Sequence, residues 1–207
     1  MSVIQKDVIA EKAMEMFTKQ GIKAVRMDDI ARSVGVSKRT LYEIFGDKEE
    51  LVFQSLKLHF GKVVTRHRET IKTSDNILEG LFLVIQDVVV ESETNWRIRN
   101  SLKRFYPSVD ERLEKDNVEQ RRAELKSKLE TGVRDGLLVD GVNLDLAITM
   151  LYYIASGIVD GADRIDLPKN ISCVDAFREV VINFLRGIST PKGIEVIDNI
   201  ANKFKNK

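Results

Sequence analysis

Cysteine is nearly absent. The single Cys173 closes no intrachain disulfide and builds no cysteine-based zinc site, and a lone thiol suits a reducing compartment, so a cytoplasmic protein is expected. Proline is scarce, three in 207 residues, too few for the turns of a many-stranded sandwich, which favours helices. Long apolar runs are missing: Ala147 to Val159 falls short of the roughly 18 residues a membrane span needs and contains Thr149 and Ser156, so no membrane partner is expected. The opening MSVIQKDVIAEK places acids and lysines where an export signal needs a continuous apolar stretch, and no such signal is expected. Net charge is small: 33 basic and 32 acidic residues leave +1, which excludes a chain coated in positive charge and leaves any basic patch to be found locally. The two histidines, His59 and His67, lie eight apart, too far for the i, i+4 pairing of a metal-binding helix. No Walker loop, dinucleotide-binding glycine run, GxSxG, HExxH or CxxC occurs. The expectation is therefore a protein without metal, cofactor or catalytic residues.

What is present is a folding composition, 43% apolar and 31% charged, arranged with helical periodicity. Ile9, Ala13, Met16 and Phe17 fall on one stripe of a helix from about Val3 to Gln20, stopped by Gly21. Met27-Asp28-Asp29-Ile30-Ala31 restarts the pattern with two carboxylates in the first turn, where the helix dipole favours negative charge. Gly35-Val36-Ser37 ends this short helix with a residue tolerant of positive φ and caps the next with a hydroxyl. In the third helix Leu41, Ile44 and Phe45 form one buried face, and Lys38, Arg39, Thr40, Tyr42 and Glu43 the other. Asp47 through Glu50 reads as a capping box opening a longer fourth helix, to about Thr70. Further helices are expected over Ile77 to Glu91, Trp96 to Phe105, Asp110 to Arg134, Leu144 to Arg164 and Val174 to Gly187, with a small amphipathic helix after Pro191. No strand alternation is visible, and an all-α fold follows.

Two helices meeting at a tight angle need a small residue at the crossing and a permissive one in the turn, and Ala31 and Gly35 supply them. With Ile30, Val34, Val36, Leu41 and Ile44 directed to a shared core, this is the sequence logic of a helix-turn-helix, whose second helix enters the DNA major groove. Charge agrees: Lys19, Lys23, Arg26, Arg32, Lys38 and Arg39 face only two acids between positions 19 and 39, a local balance of +4, and the rest of the chain carries −3. A basic stripe of this kind is the electrostatic footprint of phosphate binding.

At these residues the sequence resembles the TetR family of bacterial transcriptional regulators. The matching positions are Ile9, Ala13, Phe17 and Gly21; Met27-Asp28-Asp29-Ile30-Ala31; Gly35-Val36-Ser37; Thr40-Leu41-Tyr42 with Phe45; and Lys48-Glu49 with Leu51. The match covers about the first quarter of the chain, and the remainder agrees only in length and helical pattern. The resemblance implies an amino-terminal three-helix DNA-binding domain, residues 1–46, followed by a larger helical domain for effector binding and dimerisation, residues 47–207. It implies base or backbone contacts from Ser37, Lys38, Arg39 and Thr40, and phosphate contacts from Tyr42 and Lys48. The family usually carries threonine or serine just before helix two, where Val25 and Arg26 stand, so the usual hydroxyl cap is missing and Arg26 is expected to bind phosphate itself. A small residue is common where Arg39 stands, so the operator read here is expected to differ from those of close-looking relatives.

In the larger domain, Leu144 to Val159 is apolar nearly all round, which means burial on more than one side. With the stripe Phe177, Val180, Val181, Phe184 and Ile188 it fits a homodimer interface, expected at Leu151, Ile154, Ile158, Phe177, Val181 and Phe184, where the resembled family dimerises. Phe82, Trp96, Phe105, Tyr106, Met150, Tyr152 and Tyr153 are candidates to line an effector pocket, since such pockets are mostly apolar, although aromatics at helical spacing are more often ordinary core. The expected function is a homodimeric regulator, a repressor rather than an activator, that binds a palindromic duplex operator and is released by a small-molecule effector of unknown identity. The alternative is a helix-turn-helix nucleoid or adaptor protein without small-molecule control.

Overall fold

Low proline and dense i, i+4 apolar spacing give a chain of helices. The computed structural model describes residues 3–115, 118–161, 168 and 171–205, and their side chains apart from residues 3–5, 89, 92–93, 118, 155–161, 173–174, 177 and 203–205. Cys173, Ile158 and Phe177 therefore have side chains outside the described set. Among the described residues there are eleven helices and no strand: α1 (Val3–Gln20), α2 (Met27–Val34), α3 (Lys38–Phe45), α4 (Lys48–Thr73), α5 (Ile77–Val90), α6 (Ser92–Phe105), α7 (Pro107–Lys115), α8 (Val118–Arg134), α9 (Leu144–Gly161), α10 (Cys173–Gly187) and α11 (Pro191–Lys205). None of the described helices is long and apolar enough to cross a membrane.

Of the helix expected from Asp110 to Arg134, the described residues to Lys115 and from Val118 are helical, and residues 116 and 117 lie outside the described residues. Pro107 heads α7, where its missing N–H costs nothing because first-turn donors have no intrahelical acceptor. Tyr106 carbonyl accepts from the amides of Val109 and Asp110 at 3.0 and 3.2 Å, which seats the turn. Proline here starts a helix that the sequence reading placed three residues later.

Packing divides the chain into two units, Met1–Arg66 with Thr94–Asp116, and His67–Glu93 with Asn117–Lys207. The first contains far more than residues 1–46, because Leu51, Val52, Phe53 and Leu56 of α4, Ile98 and Leu102 of α6 and Val109 of α7 are buried in the same core as Phe17, Ile30, Leu41 and Phe45. The first turns of α4 complete the core of the three-helix head.

In the second unit α5 packs against α8, α10 and α11. Its core joins Ile77, Leu78 and Leu81 to Leu129, Leu137, Leu138, Ile148, Val181, Leu185 and Ile197. The turn after α8 is stitched to the turn before α11: Val139 amide donates to Ile188 carbonyl at 3.0 Å, Thr190 amide to Leu137 carbonyl at 3.0 Å, and Thr190 Oγ1 to Gly136 carbonyl at 2.7 Å. Gly193 in the first turn of α11 lies so close that an added Cβ would stand 2.1 Å from the Leu137 carbonyl oxygen. Because the obstacle is backbone, Gly193→Ala is expected to destabilise by about 1–3 kcal/mol or more, the cost of overpacking a site that cannot yield. Urea unfolding at fixed protein concentration checks this, and an unchanged midpoint would show that α11 can shift freely.

Candidate nucleic-acid interface

The reading element is assembled by caps at both sides of one turn. Gly35, at φ +72°, closes α2: its amide reaches Arg32 carbonyl at 3.4 Å and the Val36 amide reaches Ala31 carbonyl at 3.0 Å, the paired bonds of a Schellman ending. Two residues later Ser37 opens α3, its hydroxyl accepting the Thr40 amide at 3.0 Å and lying 2.8 Å from Thr40 Oγ1. Leu41 and Phe45 then bury one face of α3, 0% and 3% exposed, and the opposite face is turned outward.

On that face Lys38 and Arg39 are exposed by 58% and 89% of their side-chain surface, and Tyr42 is exposed as well. Each cation carries a carboxylate. Asp28, from the first turn of α2, holds the Lys38 ammonium at 2.9 Å, and this hydrogen bond with its charge attraction raises the lysine pKa. Glu43, one turn along α3, accepts Arg39 Nε at 2.9 Å. The sequence places Asp28 in the first turn of α2 and Glu43 on the outward face of α3, and the i, i+4 spacing of Arg39 and Glu43 is a legible sign of pairing. The Asp28 to Lys38 contact joins two helices and had no local signal.

Arg26 occupies the N-cap of α2 in extended conformation, and arginine has no acceptor with which to cap. The reciprocal half of the box survives, Asp29 Oδ2 accepting the Arg26 amide at 3.1 Å, and the same carboxylate pairs with Arg32 at 3.2 Å. The exposed Arg26 side chain is thereby released from capping duty.

Lys48 is placed differently from the expected phosphate ligand. Its ammonium donates to the carbonyls of Ile22 at 2.7 Å and Lys23 at 3.4 Å, tying the start of α4 to the α1–α2 loop, and burial lowers its pKa. It also lies 5.8 Å from the centre of the Tyr106 ring. Phe105 sits beneath Lys23, 4.3 Å from ring centre to Nζ. Two of the expected pocket aromatics thus brace the reading unit. α7 adds Arg112, which pairs with Glu50 at 2.9 Å and covers the Phe53 ring at 3.6 Å, while Ser108 bonds Glu49. Glu50 is committed to Arg112 and Gln54, so of the capping box expected at α4 the Asp47 half is made, Glu50 amide to Asp47 Oδ1 at 2.8 Å.

The remaining expected pocket residues fall in both units. Trp96 is half-buried in the first unit, Phe82 is buried in the second, and Met150 and Tyr153 are exposed on α9 by 40% and 74%. Of the expected dimer residues, Val181 is only 1% exposed and belongs to its own chain's core, against which Leu151 and Ile154 also pack. Phe184 is half-buried. These residues form the inward stripe of α9 and α10, and the outward one is Leu146, Met150 and Tyr153 with Val180. A helix apolar on all sides offers two stripes, and periodicity alone does not say which faces in.

A capped turn, a buried hydrophobic back and an exposed basic front define a helix-turn-helix regulator of the all-helical type. Residues 9–54 match the family model for bacterial regulatory proteins of the tetR family. The transcriptional repressor KstR2 of Mycolicibacterium smegmatis is 29% identical over 148 residues, 69% of this chain and 71% of that protein. The fatty acid metabolism regulator protein of Bacillus subtilis is 24% identical over 147 residues, 70% of this chain and 76% of that protein. Among solved structures, a putative transcriptional regulator from Saccharomonospora viridis in complex with choline shares the fold, with TM-score 0.67 at 18% identity over 91% of this chain and 100% of that one. Residues 9–54 are thus a DNA-binding domain of the tetR-family type, and the chain is similar to transcriptional regulators that carry it.

Ser37 offers a test of how the reading helix is held. Ser37→Ala is expected to destabilise by about 1 kcal/mol through the lost cap. Ser37→Asp keeps the cap and places a carboxylate toward phosphate, so urea unfolding should recover while DNA affinity measured by fluorescence anisotropy falls. Equal stability of all three proteins would remove the cap from the account.

Proposed function

We propose that the protein is a homodimeric repressor that reads a pseudo-palindromic operator through Arg26, Ser37, Lys38, Arg39, Thr40 and Tyr42, with the second unit, His67–Glu93 and Asn117–Lys207, serving dimerisation and effector response. The observation that carries this reading is the outward face of α3, which holds Lys38, Arg39 and Tyr42 around a fixed, capped helix start. Lys48 serves it as a brace for the loop that precedes α2. Two-fold symmetry sets the recognition helices one helical turn of DNA apart, about 34–36 Å, or a multiple of it. The exposed apolar stripe of α9 and α10 supplies the symmetric contact. Repression is favoured by the repressors and negative regulators among the relatives. Among the similar proteins one is a fatty acid metabolism regulator, one a ketosteroid transcriptional regulator of Mycobacterium tuberculosis and one is solved with choline, which makes fatty acids, steroids and quaternary amines the first effectors to try.

Selection from a random duplex pool with the full chain is expected to enrich one pseudo-palindrome. Titrating the effector panel onto that complex should release the DNA in at least one case, since the effector must favour the arrangement that binds DNA poorly. Enrichment without any release points to the adaptor reading. No enrichment by a folded dimer sinks the operator reading.

A further inference from the structure

We infer that Glu43 is a specificity-determining residue of the reading helix: by holding Arg39 through Nε it presents the guanidinium end-on, its two terminal nitrogens directed at a single guanine. This rests on the DNA-reading function proposed above. An acid is out of place where Glu43 stands. It is the only carboxylate in α3, its side chain is 59% exposed on the face that meets a polyanion, and it lies in the last turn, where the helix dipole favours cations. An exposed i, i+4 pair contributes little to folding. Neither DNA attraction nor helix stability accounts for the residue, and its contact with Arg39 does.

The geometry of that contact is selective. A guanidinium carries five N–H donors, one on Nε and two on each terminal nitrogen. Glu43 Oε1 takes the Nε donor at 2.9 Å. The side-on approach that uses Nε is thereby closed, and the end-on fork stays open for guanine O6 and N7. Lys38 behaves differently, because Asp28 holds the ammonium itself, the same group that would meet a phosphate. Lys38 must leave its partner to bind, whereas Arg39 reads while still paired.

The test compares base preferences from a random duplex pool for wild type, Arg39→Ala, Glu43→Ala, Glu43→Gln and the Arg39→Ala, Glu43→Ala double variant, with urea unfolding to confirm that each is folded. Glu43→Ala is expected to tighten binding to scrambled duplex and to lower discrimination by about 2- to 10-fold, the cost of ordering one long side chain, at the one base whose preference Arg39→Ala removes. Glu43→Gln keeps an acceptor without the charge and should retain part of that preference. In the Arg39→Ala background the Glu43 change should alter no base preference. Full guanine preference in Glu43→Ala, or a changed preference in the Arg39→Ala background, overturns the inference while leaving Arg39 as a reader. A wild-type preference in Arg39→Ala itself overturns the assignment of Arg39, and this inference falls with it.

Discussion

Replacing Lys38 and Arg39 together by alanine is expected to remove operator selection while leaving the fold intact. Both side chains project from the outward face of α3 and pair with exposed carboxylates, Asp28 and Glu43. Changes at such positions usually stay within about 0.5 kcal/mol of wild-type stability, so the urea midpoint should hold. Loss of an arginine forked onto guanine lowers discrimination by about 1–3 kcal/mol per half-site. Loss of a lysine on phosphate lowers affinity for all sequences and reduces the slope of log K against log salt by about 0.9 per contact. Anisotropy titrations at several salt concentrations separate the two effects: Arg39→Ala alone should flatten sequence preference, and Lys38→Ala alone should flatten the salt slope. Binding that keeps both its preference and its slope in the double variant would place the reading surface elsewhere.

The amino-terminal helices were legible because their signals are local. Gly35 followed by Ser37 names both the end of α2 and the start of α3, and the structure makes both caps with those atoms. Periodicity separated Leu41 and Phe45 from Lys38 and Arg39 for the same reason, since three or four residues decide a helical face. The limit of the head was not legible. Whether Leu51, Val52 and Phe53 belong to it depends on Ile98, Leu102 and Val109, some 45 to 60 residues away, and no local pattern records that. The α7 start illustrates a second limit, because proline signals a break and a helix beginning equally well.

The site shows the same division. The exposed cations of α3 followed from their spacing, whereas the fate of Lys48 depended on two carbonyls of the α1–α2 loop more than 20 residues before it. Phe105 and Tyr106 looked like pocket lining because aromatics are large and apolar. In place, their rings lie against Lys23 and Lys48, a use of the π face that composition does not distinguish from packing. In the second unit α9 and α10 offer two apolar stripes. Leu151, Ile154 and Val181 are as apolar as Leu146, Met150 and Tyr153, and the choice between the stripes was made by α5, α8 and α11.

That choice leads to the second large effect. Met150→Glu with Tyr153→Glu is expected to convert the dimer to a monomer and to weaken operator binding by about 100- to 10,000-fold, the avidity lost when two linked half-sites become independent. In a two-fold interface each patch meets its own copy, so every introduced carboxylate faces carboxylates, and like charges brought together in a desolvated contact oppose association by several kcal/mol. The two side chains are 40% and 74% exposed within one chain, so the protomer should still fold, which a near-wild-type circular dichroism spectrum checks. Val181→Glu provides the contrast: at 1% exposure it buries an unpaired charge in the chain's own core and should unfold the unit instead of dissociating a dimer. Sedimentation equilibrium resolves the two outcomes. A Met150, Tyr153 variant that remains dimeric would move the interface away from the outer stripe of α9, and the regulator would then need another surface to bring its two reading helices into register.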